Sequence, residues 1–334
     1  RFSFLFGGLF LMFLLLISLS TMFISSLMAN FEYDLKKIIA LSTLSQLGLM
    51  VSILSLGDWL MSFFHLLVHA LFKALLFMFA GCMIYNLNGC QDIRLMGSLV
   101  NFFPLISCFF NICSLSLCGL PFMSGFYSKD LILEYVYMSS FNLWIWLIFY
   151  LSVGMTVSYS FRLFCFTMVN DLNNLVFLGM IETSNYMVKG MSLMIFIVVM
   201  SGGAIFWLIL PTPYFLCLLF FEKIMVLLVI FMGVVFCFVV MKLFKNNIVY
   251  FYKVNFLVSN MFYVSMLFTL GFNYNFLFLS GKFFERLDQG WLEYYGSYKL
   301  FMALSMGSLF IQKIFFNNIK LFLICFIFFL FLLV

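Results

Sequence analysis

Apolar residues run almost unbroken through this chain, interrupted at intervals by short polar or charged connections. A helix rising about 1.5 Å per residue crosses the hydrocarbon of a bilayer in about 20 residues. On that ruler the runs at about 5–28, 38–56, 59–84, 102–136, 143–166, 190–210, 224–243 and 317–334 each predict a membrane-crossing helix. The fourth run is too long for one straight crossing and contains Gly119, Leu120, Pro121 and Gly125. Proline withholds a backbone donor and glycine weakens the helix around it. The run therefore reads as one crossing made of two half-helices with an unwound centre. Such a break survives in lipid only where it is buried or lines a wet cavity.

Two stretches follow a different pattern. Residues 254–279 are apolar but carry Asn255, Asn260, Asn273 and Asn275. They fit either a short extra span or a segment lying at the membrane interface, and the asparagines favour the interface. In 280–316, Lys282, Glu285, Arg286, Glu293 and Lys299 alternate with Phe283, Phe284, Leu287, Trp291 and Tyr294. Apolar spacings of three and four predict an amphipathic helix along the membrane surface. The last span leaves from Lys320.

Composition agrees with this reading. Of 334 residues, 66% are hydrophobic and 9% charged, against about 25% charged in a soluble domain. A soluble fold cannot hide that much apolar surface, so the chain is expected to be an all-α polytopic membrane protein. Its net charge of +5 is spread over single residues, so no nucleic-acid patch is indicated. The nine cysteines form no C-x-x-C pair, and Cys108, Cys113 and Cys118 point to different helix faces, so they read as small buried hydrophobes. The apolar start at Arg1 does not read as a cleavable signal peptide, and the start without Met suggests the latter part of a longer protein. Charge also orients the bundle. Lys36, Lys37, Arg94, Arg162, Lys189, Lys242, Lys245 and Lys253 fall on one side, and only Lys223 on the other. The first side is expected to face the cytoplasm or an organelle matrix.

The third predicted span holds His65 and His69, the only two histidines, and Lys73. At i, i+4 and i+8 they form a slowly turning ladder about 12 Å long. Lys73 lies too deep for its ammonium to reach either surface, where a charge costs several kcal/mol unless water or protein partners receive it. Histidine takes a proton on one nitrogen and releases it from the other, so the three together read as a proton relay. The plainer alternative is a pair of hydrogen-bonded interior histidines beside a structural charge. A metal site would need a third ligand, and none is apparent. A second candidate is Lys129 with Asp130, just past the break. Half-helix ends with freed backbone groups are common ion sites in membranes, although a lysine near a helix end is often only an anchor. Asp130 shares a face with Glu134, whereas Lys129 stands about 100° from Asp130. Ser42, Thr43, Ser45 and Gln46 in the second span either pack helices or hold water.

Several stretches are specific enough to carry a resemblance. They are DLKKIIALSTLSQLGLM at 34–50, HLLVHALFKALLFMFAG at 65–81, NLNGCQDIRLMGSL at 86–99 and LCGLPFMSGFYSKDLILE at 117–134, with FERLDQGWLEYYG at 284–296 as a weaker one. All resemble the chain 5 family of mitochondrial NADH–ubiquinone oxidoreductase, in its insect-like form and over its C-terminal part. The resemblance implies an antiporter-like subunit in the membrane arm of respiratory complex I, multi-pass in the mitochondrial inner membrane. Residues 1–168 would form the second antiporter-like repeat, 169–253 two further spans, 254–316 an interfacial segment with a lateral helix, and 317–334 a final span.

The resemblance further implies a proton relay of Lys73, Lys129, His65, His69 and Asp130, with the first repeat's ionisable residues lying upstream of Arg1. Ser3 stands about where several relatives carry a histidine. The implied chain holds no redox cofactor, with FMN, iron–sulfur clusters and ubiquinone expected in other subunits. The implied partners are neighbouring antiporter-like chains, accessory subunits and lipids, cardiolipin among them. Two other readings stay open: a subunit of a stand-alone multisubunit cation/proton antiporter, or mainly a structural clamp.

Overall fold

The computed structural model describes residues 3–138, 142–173, 185–210, 212, 216–245, 253 and 256–333. Among them all regular structure is helical, and the backbone divides into two units, Arg1–Phe262 and Tyr263–Val334.

In the first unit, α1 (Gly8–Ala29), α2 (Leu35–Ser55) and α3 (Trp59–Asn86) follow one another through short connections. Asp58 caps α3, its carboxylate accepting the Met61 N–H at 3.4 Å. A single turn, α4 (Leu99–Phe102), leads into α5 (Pro104–Cys118), which starts on a proline whose missing N–H costs nothing in the first turn. After the break comes α6 (Ser124–Met138). Next is α7 (Leu143–Phe164), continued by a wider turn over Cys165–Val169, and then α8 (Asn185–Ile209) and α9 (Phe220–Lys245). Helices α1, α2, α3, α7, α8 and α9 are each long and apolar enough to cross a membrane. The fourth expected crossing is the pair α5 and α6, with Gly119–Met123 unwound between them.

Lipid tails are as apolar as leucine, so burying leucine side chains does little to hold these helices together. Close contact of small residues does it instead. A Cβ on Gly125 would stand 1.8 Å from the Ser116 carbonyl oxygen, so the two half-helices touch backbone to backbone. A Cβ on Gly202 of α8 would stand 2.6 Å from Ser124 Cα, and one on Gly233 of α9 2.5 Å from the Gly154 carbonyl of α7. The buried apolar side chains form two clusters. One includes Ile38, Leu41, Phe79, Phe110 and Leu163, the other Leu49, Ile53, Ile132, Phe149 and Val153. On α2 the residues between the clusters are Ser42, Ser45 and Gln46, all buried. The bundle thus has a polar layer between two apolar ones.

The side with most of the basic residues is latched by its loops. The Leu35 N–H donates to Gln91 O at 3.0 Å and the Ile93 N–H to Tyr33 O at 3.1 Å. Arg162, 2% exposed, donates to Ala29 O at 3.5 Å and to Asn30 O, receiving the carbonyls that end α1. Its guanidinium and that of Arg94 both lie over the Tyr33 ring, at 4.9 and 4.1 Å. In the same loops burial pushes the Glu32 carboxyl above its usual range. The Lys37 ammonium, 2.8 Å from Asp34, holds that carboxyl below its usual range.

The second unit is one long helical run. Phe262 and Tyr263 both have positive φ, 52° and 56°. Helix then continues through Val264–Met266, Leu267–Gly271, α10 (Phe272–Phe283), a wider-wound stretch Phe284–Tyr298, and α11 (Lys299–Asn317). Asn318 separates α12 (Ile319–Leu333). The long helix was expected from 280 and begins at Val264. Asn273 and Asn275 lie exposed on it. An exposed amide is satisfied without breaking the backbone ladder, so polarity alone did not end the helix. Asn255 lies outside the described residues.

Gly125→Ala is expected to push the half-helices apart at a cost of about 1–3 kcal/mol or more. The cost will be seen as a fall in the thermal midpoint or yield of the folded protein. Gly203→Ala, with nothing within 4 Å of the added Cβ, is expected to leave both unchanged.

Candidate functional site

The unwound centre follows from the chain's own chemistry. In a continuous helix the Leu117 carbonyl would accept the N–H four residues on, and that residue is Pro121, which has none. The helix ends at Cys118, and Gly119 takes the left-handed conformation at φ 81° that glycine adopts without strain. Leu117 O is left as an acceptor inside the membrane. Lys129 answers it, its Nζ donating to Leu117 O at 3.1 Å and to Thr156 Oγ1 of α7 at 2.8 Å. The side chain passes over Gly119, where a Cβ would sit 3.4 Å from Lys129 Cδ.

Lys73 is received by α2. Its Nζ donates to Ile39 O at 3.4 Å and to Ser42 Oγ, and Ser42 in turn donates to Ile39 O at 2.7 Å. Two turns back on α3, His65 Nε2 stands 3.2 Å from Gln46 Oε1 and Nδ1 2.9 Å from Ser128 Oγ of α6. A carboxamide oxygen only accepts, so in the neutral ring Nε2 carries the proton and Nδ1 is the acceptor facing the Ser128 hydroxyl, which also has the Gly125 carbonyl within reach at 3.3 Å. His69 lies between, its ring 6.0 Å from that of His65 and edge-on to Phe72 at 5.2 Å.

His65, His69, Lys73 and Lys129 are 1%, 7%, 4% and 3% exposed. No ion pair joins either lysine to a carboxylate among the described residues. Each ammonium is solvated by a carbonyl and a hydroxyl, neutral groups that leave it able to lose its proton without stranding an anion. The fold brings these four residues into one polar layer spanning α2, α3, α6 and α7. Asp130 is placed apart from them. It sits one residue from Lys129 on another face of α6, half-buried, with Glu134 and Lys223 as its charged neighbours. Ser128, Thr156 and the Leu117 carbonyl were not singled out in the sequence. Pro121 was the available signal for the carbonyl. Nothing in the sequence marked the two hydroxyls among many serines and threonines.

Comparison with known proteins decides the family. A profile described as NADH:quinone oxidoreductase/Mrp antiporter, TM, matches residues 1–157, and one described as NADH dehydrogenase subunit 5 C-terminus matches residues 159–334. The NADH-ubiquinone oxidoreductase chain 5 of Locusta migratoria is 46% identical over 96% of this chain and 57% of its own length. The chain belongs to the NADH–ubiquinone oxidoreductase chain 5 family. Chain 5 of Anopheles gambiae is 44% identical over 93% of this chain and 54% of its own length. The earthworm Lumbricus terrestris chain 5 is 36% identical over 85% and 50%. The chain therefore spans little more than half the length of these chain 5 relatives. Among solved structures, one titled Structure of Mrp complex from Dietzia sp. DQ12-45-1b aligns with a TM-score of 0.55 at 21% identity. It covers 69% of this chain and 27% of that one, a likeness of fold alone.

Thr156→Val removes one of two groups solvating the Lys129 ammonium at nearly constant shape. A hydrogen bond to a charged group contributes about 1.5–3 kcal/mol, so the thermal midpoint of the folded protein should fall with Val and be largely kept by Thr156→Ser. Equal midpoints for Val and wild type would show that Thr156 does not hold the lysine.

Proposed function

We propose that this chain is part of a proton-translocating membrane subunit of NADH:ubiquinone oxidoreductase, respiratory complex I, in the mitochondrial inner membrane. The observation that carries the reading is the polar layer. It holds two buried lysines and two buried histidines with neutral partners in the middle of an apolar bundle. A lysine so held changes charge when a neighbouring charge moves, because Coulomb interactions in a low-dielectric interior reach across several ångströms with little screening. His65 links the lysines' surroundings by taking a proton at one nitrogen and giving it up at the other. The working unit is Lys73, His69, His65 and Lys129, with Asp130 and Glu134 leading toward the Lys223 side. Residues 1–168 act as one antiporter-like repeat.

Electron transfer takes place elsewhere. In this reading FMN, iron–sulfur clusters and ubiquinone belong to other subunits of the complex, and this chain contributes only proton movement. Its partners are neighbouring antiporter-like chains, accessory subunits and membrane lipid, cardiolipin included. The match over residues 159–334 to the subunit 5 C-terminal family supports this over a stand-alone cation/proton antiporter.

Lys129→Met and Lys73→Met keep the side-chain stems and remove the charge. In the assembled complex each is expected to lower the protons moved per NADH oxidised at least tenfold for this subunit's share, measured in sealed membrane vesicles. Unchanged NADH oxidation together with unchanged proton yield in both variants would refute the function.

A further inference from the structure

The polar line is incomplete between Lys73 and His65. Ser42 holds one end and Gln46 the other, and between them Gln46 Nε2 and His69 Nε2 are buried without a hydrogen-bond partner among the described residues. Helix register puts them at one level. Ser42 of α2 meets Lys73 of α3, and Gln46 meets His65, so Ser45 and His69 fall at the height between those contacts.

A third helix reaches this level. Tyr159 of α7 is 2% exposed, and its hydroxyl stands beside Ser42, Ser45 and Gln46, close enough to interact with each but without a well-formed hydrogen bond among the described residues. Three buried polar atoms without partners, from three helices, thus sit in one layer. Each such atom costs about 1–3 kcal/mol when left alone, and here three of them face one another's helices at one height. Nearby hydroxyls cannot donate to one another as they stand, because Ser42 donates to Ile39 O at 2.7 Å and Ser45 to Ser42 O at 2.9 Å. Their free capacity is as acceptors. The Tyr159 O–H is the one hydroxyl among them uncommitted to a backbone carbonyl.

We propose that Tyr159 is a further proton-transferring residue of this line, joining the Lys73–Ser42 end to the histidine end. A proton leaves the Lys73 ammonium for Ser42 Oγ, and the Ser42 hydroxyl proton swings from Ile39 O to Tyr159 Oη. The Tyr159 proton passes to His69 Nε2. Each hydroxyl keeps one O–H bond, Lys73 ends neutral and the imidazole ends protonated. The transfer crosses from α3 to α2 and α7 and back, so a shift of α7 against α2 would open or close it. The inference rests on the proton-translocating function proposed above.

The test compares Tyr159→Phe, Tyr159→His and Lys73→Met in the assembled complex, reading assembly, NADH oxidation and proton yield. Tyr159→Phe removes one oxygen and keeps the ring. It is expected to assemble and to lower this subunit's proton yield at least threefold. Tyr159→His restores a group that both donates and accepts, and is expected to recover at least half the wild-type yield. Wild-type yield in the Phe variant overturns the proposal, and so does equal loss in both variants, which marks a packing role. If the Phe variant does not assemble, the His variant decides alone: half the wild-type yield supports the proposal and no yield overturns it. Unchanged yield in Lys73→Met removes the translocating function itself. Loss there with normal yield in Tyr159→Phe removes only the role of Tyr159.

Discussion

Two ammonium groups inside a lipid-embedded bundle have to be solvated by the protein itself, and much of the architecture answers that demand. Lys73 and Lys129 lie too deep to reach water by stretching along an apolar stem. Pairing them with carboxylates would have lowered the desolvation cost and also locked their protons. The fold supplies carbonyls and hydroxyls instead: Ile39 O and Ser42 for one, Leu117 O and Thr156 for the other. Neutral partners stabilise the charge enough to bury it and leave the proton exchangeable.

A break in a transmembrane helix would ordinarily be a defect, because lipid offers nothing to a freed backbone group. Here the break and the lysine compensate one another. Pro121 withholds the N–H that Leu117 O would accept, and Lys129 donates there instead. The arrangement works only if the two half-helices stay in contact, and the missing side chain at Gly125 permits that, while the missing side chain at Gly202 lets α8 close on the start of α6. Leucine burial contributes little between helices in lipid, so these backbone contacts matter more here than they would in water.

The layered bundle also suits the proposed relay. Apolar clusters on either side of the polar layer restrict where a proton can rest. The loops on the basic side, latched through Tyr33, Arg94 and Arg162, hold α1, α3 and α7 at fixed heights. Hydrogen bonds of about 3 Å across three or four helices need such fixed heights, since a displacement of one ångström ends most of them. The second unit leaves aromatic side chains exposed along α10 and α11.

Hydrophobic run length predicted most of the long apolar helices, and the alternation of basic residues predicted an orientation for them. Both are one-dimensional properties, because a bilayer imposes a fixed thickness and a polarity on whatever crosses it. His65, His69 and Lys73 were legible for a related reason: any ionisable residue in such a run demands an explanation. The same logic located the break, since Pro121 acts on a carbonyl four residues away. What tertiary structure alone decided was which groups meet. Lys129 lies beside Asp130 in sequence, yet it is held by Leu117 and Thr156, because neighbours on a helix point about 100° apart. Ser128 and Tyr159 carry no local signature, and the join between α2, α3, α6 and α7 exists only where those helices cross. The start of the long helix at Val264 was hidden as well, because exposed asparagines look like an interruption in sequence and cost the backbone nothing in the fold.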